Sequence, residues 1–142
     1  MLRYSIATSL FLLTLGCAHS LRLKFIDAAT GESVPGVQTL WRQDFNDLVL
    51  GSRHQGPTNL PPSMEDGVTI VEHLQPEYVS RFIFTRPGYK TLYGGYSAGI
   101  LSWSEKKNAA SSPEFFTLDG PLSGSCRSNG ICIVRMPKSG HQ

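Results

Sequence analysis

The sequence predicts an all-β domain, a small β-sandwich preceded by a signal peptide. Three observations carry that reading. Apolar and polar residues alternate with a period of two in several short stretches, and Gly, Pro, Asn and Asp punctuate them. No window of about a dozen residues carries an apolar stripe at helical spacing. The chain has 142 residues, enough for one ordinary domain and an appendage. Its 40% hydrophobic and 17% charged content fits a folded chain rather than an extended disordered one.

The first segment, 1–16, reads as a leader. Arg3 supplies a short positive end, and Ile6 to Leu15 is an apolar run broken only by Thr8, Ser9 and Thr14. That run is too short to span a bilayer and suits a signal-peptide core. Thr14-Leu15-Gly16-Cys17 resembles a bacterial lipobox, in which the cysteine is acylated; Gly16 fits, whereas Thr14 stands where leucine is preferred. Lipidation at Cys17 would anchor the chain to a membrane, with 17–20 as a short linker, and Ala18 after the cysteine suggests the outer membrane. The competing reading is plain secretion, with cleavage after Ala18. Without Arg3 the chain keeps 12 basic against 11 acidic side chains, scattered singly. No basic stripe is present to hold a phosphate backbone, so nucleic acid is not an expected partner.

The domain itself is expected over 21–136. Leu21, Leu23 and Phe25 alternate with Arg22 and Lys24, Asp27 to Glu32 supplies turn chemistry, and Val34-Pro35-Gly36-Val37 restarts extended chain, so 21–40 predicts a hairpin. A weak third strand is expected over Asp47 to Ser52. Gly56 to Ser63, with three prolines, predicts a loop. Glu65-Asp66-Gly67 turns into a β-branched strand from Val68 to Val71. Tyr78 to Thr85 is apolar on both faces, as suits the middle of a sheet. Arg86-Pro87-Gly88-Tyr89 has the residues of a type II turn, and Lys90 to Tyr93 runs extended again. Residues 94–108 give no clear pattern, and 109–113 reads as a linker. Phe115 to Leu118 predicts a strand, Asp119-Gly120-Pro121 a turn, and Ile131 to Met136 the last strand, begun by an Asn129-Gly130 hairpin. Residues 137–142 are expected to be a disordered tail.

Cysteine parity fits an oxidising compartment. With Cys17 lipidated or removed, Cys126 and Cys132 remain, and a disulfide across the intervening turn is sterically reasonable. A zinc site would need further ligands, and no His or Cys stands at suitable spacing.

The order of these features resembles the carboxypeptidase regulatory-like, or transthyretin-like, domains of bacterial surface and periplasmic proteins. The resemblance rests on Asp27-x-x-Thr30-Gly31-x-x-Val34-Pro35-Gly36-Val37, then Asp66-Gly67-Val68-Thr69-Ile70 with Leu74, then Tyr78 to Phe84 before Pro87-Gly88-Tyr89. It covers 21–92, about half the chain. It implies a Greek-key, prealbumin-like sandwich without catalysis or cofactor, acting as a structural or protein-interaction module. One hydrolase group shares that fold, the hydroxyisourate hydrolases. They end in Tyr-Arg-Gly-Ser, unlike Lys138-Ser139-Gly140-His141-Gln142 here.

Several residues suggest chemistry. Gly95-Tyr96-Ser97-Ala98-Gly99 matches the G-x-S-x-G nucleophile elbow, and Asp119 and His141 follow in hydrolase order. The elbow needs a strand-turn-helix on a parallel sheet, which this chain does not predict, so a bend between strands is the alternative. His54, Glu72 and His73 are conceivable metal ligands, but Glu72 and His73 are neighbours that a strand points to opposite faces. Trp41, Trp103 and Tyr96, with Tyr89 and Tyr93, are candidates for a glycan-binding platform; the alternative is that they fill the core. Expected partners are therefore a membrane, through the lipid, and an envelope protein or glycan.

Overall fold

The computed structural model describes residues 19–47, 51–74, 78–106, 122–127 and 130–140, with side chains undescribed at His19, 45–47 and 51–55. The described residues form nine strands in two packed sheets, a small β-sandwich. They are β1 (His19–Asp27), β2 (Gln38–Asp47), β3 (Gly51–Asn59), β4 (Val68–Leu74), β5 (Val79–Thr85), β6 (Leu92–Ser97), β7 (Ile100–Ser104), β8 (Gly124–Arg127) and β9 (Ile131–Met136). One sheet has the order β4-β1-β9, the other β3-β2-β5-β6-β7-β8. All neighbours are antiparallel except β1 and β9, which run parallel.

Period-two alternation decides what is buried. Leu21, Leu23 and Phe25 of β1 face inward with Val71 of β4 and Cys132, Val134 and Met136 of β9. From the larger sheet come Trp41, Phe82, Phe84, Leu92, Tyr96, Leu101 and Trp103. Phe25 of one sheet meets Phe84 of the other edge-to-face, with centroids 5.2 Å apart, and Phe84 stacks on Phe82 at 5.8 Å. Such pairs add about 1 kcal/mol each beyond the area they bury.

The expected hairpin over 21–40 is not formed. β1 and β2 lie in different sheets, so the motif is a crossover. The turn after Asp27 is real, with an Ile26–Ser33 bridge and Gly31 at φ 74°, but the chain then leaves for the other layer. Burial explains why: Val34 and Val37 are 3% and 0% exposed, and a coplanar hairpin would leave one of the two apolar faces uncovered. Two further expectations are corrected. β3 continues through Gly56-Pro57 to Asn59, because it is an edge strand, where a missing amide costs the ladder little. β8 pairs with β7 and β9 with β1, so the strands on either side of the expected Asn129-Gly130 turn are not two arms of one hairpin; Asn129 itself lies outside the described residues.

Other expectations hold. β5 lies between β2 and β6, inside its sheet. Pro87-Gly88 forms its turn, with Gly88 at φ 85° and the Tyr89 amide donating to the Arg86 carbonyl at 3.0 Å. Residues 137–140 are not a loose tail. The Lys90 amide donates to the Pro137 carbonyl and the Ser139 amide to the Gly88 carbonyl, so this strip pairs with the 88–90 turn. The leader, Cys17, the linker 109–113, the Phe115 to Leu118 strand and the 119–121 turn lie outside the described residues.

Candidate functional site

The motif residues converge at one end of the sandwich. β1 ends at Asp27, whose carboxyl group is 3% exposed with its residue. Its Oδ1 accepts the Ala29 and Thr30 amides at 2.8 and 3.0 Å, an Asx turn that restricts the chain leaving β1. Its Oδ2 accepts the Tyr89 hydroxyl at 3.0 Å and lies 3.5 Å from Lys138 Nζ. The Thr30 and Ala29 amides, then Tyr89 and Lys138, stabilise the anion against its burial and lower its pKa from 3.8 to about 2. Tyr89 is raised in turn, by burial first and then by its bond to Asp27 and that charge.

Beside this cluster Arg86 Nε donates to the Pro35 carbonyl at 2.8 Å. Ser63 closes the same crossover from the other side: its hydroxyl accepts the Val37 amide at 2.8 Å and donates to the Val34 carbonyl at 3.0 Å. So Asp27, Val34 to Val37, Ser63, Arg86, Tyr89 and Lys138 form a clasp joining the two sheets. Asp27, Ser63, Arg86 Nε and the Tyr89 hydroxyl are each bonded to backbone or to another member. The arrangement ties the turn after β1, the crossover and the 88–90 turn together around the Asp27 carboxylate.

A second ionic cluster escaped the sequence reading. Asp44 accepts Arg42 Nε at 3.1 Å and also Arg81 Nη1, across the β2–β5 pair on the outer face of the larger sheet. The two-residue spacing of Arg42 and Asp44 puts them on one face, which was visible; that Arg81 stands opposite Arg42 depends on strand register.

Of the catalytic candidates, Ser97 alone lies among the described residues. Ala98 and Gly99 have φ of 51° and 78°, the two positive values of a type I′ turn joining β6 to β7. Ser97 is the exposed residue before that turn, opposite Ile100, and no helix follows it. The G-x-S-x-G match is hairpin chemistry. Asp119 and His141 lie outside the described residues. Trp41, Trp103 and Tyr96 fill the core rather than form a platform, at 9%, 4% and 0% exposed. Their strand parity turns them inward, and apolar neighbours cover them. Tyr89 is half-buried in the clasp and Tyr93 half-buried on the outer face of β6.

Glu72 and His73 are both exposed, and His73 at φ 61° breaks the strand's alternation. Of His54 only the backbone is described, paired with Asp44. Among the described residues no group of three or more His, Cys, Asp or Glu could hold a metal ion. Cys126 and Cys132 form a disulfide with Cα atoms 5.7 Å apart. Because β8 and β9 belong to different sheets, that bond staples the two layers together.

Compared with known proteins, the chain matches no family model and no curated relative.

Proposed function

We propose that this chain is a non-enzymatic exported lipoprotein: a leader over 1–16, a lipid on Cys17, and one carboxypeptidase regulatory-like sandwich that serves a structural or protein-interaction role at the envelope. The observation that carries the reading is the use made of the motif residues. Asp27, Arg86, Tyr89 and Lys138 are engaged with each other or with backbone, as a scaffold requires, and the glycines of the Ser97 motif serve a hairpin turn. Placement adds support. Cys17 precedes His19, the first residue of β1, by two positions, so a lipid there would hold the sandwich close against its membrane. The glycan-binding alternative loses its candidate rings to the core.

The test is metabolic labelling with palmitate. The wild-type chain is expected to incorporate the label and to fractionate with membranes, and Cys17→Ser to do neither. An unlabelled wild-type protein recovered from the medium would refute the anchor and leave plain secretion.

A further inference from the structure

The outer face of the three-stranded sheet carries a pattern that neither packing nor the clasp accounts for. Ile70, Ile131 and Ile133 are 40%, 53% and 48% exposed there. Register sets them in rows with cations: Ile70, Arg22 and Ile131 across one, Val68, Lys24 and Ile133 across the next, Ile26 and Arg135 across the third. Among the described residues, Arg22, Lys24 and Arg135 belong to no ion pair. One carboxylate, Glu72, shares the face through the parity of β4, and Glu65 and Asp66 stand in the turn before that strand.

We infer that this face lies on an anionic lipid bilayer, its three isoleucines at the headgroup boundary and its three cations against lipid phosphates. Charge complementarity selects this occupant. A second copy stacked face to face about a two-fold axis would set Arg22 and Lys24 of one central strand against the same residues of the other, which is repulsive. The arrangement of cations beside exposed apolar side chains is that of a surface-bound element, with each cation contributing about a five-fold factor in affinity for anionic lipid. Geometry agrees. β1 is the central strand of this sheet, and two residues reach only about 7 Å, so an anchor at Cys17 would hold this sheet, through its own strand, at the bilayer. The inference rests on the anchored reading for the presence of the membrane, but the face makes its own contact.

The test uses the full exported protein, purified from membranes and reconstituted into vesicles, carrying Ile133→Trp at the exposed position. Trp41 and Trp103 are buried, so the unsubstituted protein supplies the baseline. Vesicles of brominated phosphatidylglycerol are expected to quench the introduced indole. Equally brominated neutral phosphatidylcholine vesicles should not, nor should the anionic ones in about 1 M salt, where the screening length falls to roughly 3 Å. The additional changes R22Q, K24Q and R135Q should abolish the quenching, consistent with a roughly hundred-fold loss of affinity at five-fold per cation. Retention on neutral vesicles reports the anchor alone. Retention there without quenching on anionic vesicles overturns the docked face and leaves the anchor standing. Quenching on anionic vesicles without retention on neutral ones upholds the face and refutes the anchor. Absence of both refutes both. An indole indifferent to anionic lipid but shifted by a poly-glutamate peptide would reassign the face to an acidic polypeptide.

Discussion

Asp27 holds three segments at once: its own turn through two amides, the β5–β6 connection through Tyr89, and the C-terminal strip through Lys138. Its pKa in the folded chain is about 2, against 3.8 ordinarily, so the unfolded chain binds the proton more readily. The stabilisation it provides is complete above about pH 4 and is lost as the pH falls towards 2. Asp27→Asn should therefore lower the melting temperature at neutral pH, and the gap from wild type should close on acidification through that window. Thermal melts between pH 7 and 2 check it; a gap independent of pH would exclude the charge as the cause. An Asx turn at Asp27-x-x-Thr30-Gly31 was legible in the residues themselves, because an acceptor oxygen can reach amides two and three positions on. Its bond to Tyr89, 62 positions away, was not.

Strands were legible wherever alternation was strong, and mispaired wherever pairing had to be guessed from proximity. β1, β4, β5 and β9 stand close to where their apolar periodicity placed them. β6 to β8 were obscure because glycines interrupt the pattern, and the structure gives one of these glycines a purpose. Gly124 of β8 faces Trp103 of β7, and a Cβ there would stand 2.4 Å from indole Cζ2 and 2.6 Å from Cε2. The indole is rigid and buried, so it cannot yield without disturbing the core. Gly124→Ala is expected to displace β8 from β7 and to cost about 1–3 kcal/mol, the range for overpacking. Urea unfolding measures it. The same scale explains Ser97: its motif needed a helix after the serine, and the chain supplies a type I′ turn.

Across the whole molecule, two sheets of unequal width are held by a shared apolar layer, by the clasp at one end, and by the Cys126–Cys132 bond between β8 and β9. The disulfide closes a short loop, with a separation of 6 residues. In the chain-entropy account a loop of that size stabilises by about 2.4 kcal/mol. Replacing both cysteines by alanine should lower the urea midpoint accordingly and leave the denaturant slope little changed, because the surface exposed on unfolding is similar. Loss of the larger sheet's spectroscopic signature at zero denaturant would mean the bond is needed for folding itself.

The residues by themselves determined the all-β class, most strand positions, the turns at Asp27, Gly67 and Pro87-Gly88, and the cysteine pairing. All of these depend on short-range rules: side-chain parity, the φ a glycine allows, and the reach of a thiol across a few residues. Which sheet each strand joins was decided only in three dimensions, since sheet membership depends on covering every apolar face at once. That choice sent β1 and β2 to opposite layers and turned a predicted hairpin into a crossover. It also buried Trp41, Trp103 and Tyr96, and gathered Asp27, Arg86, Tyr89 and Lys138 into one clasp.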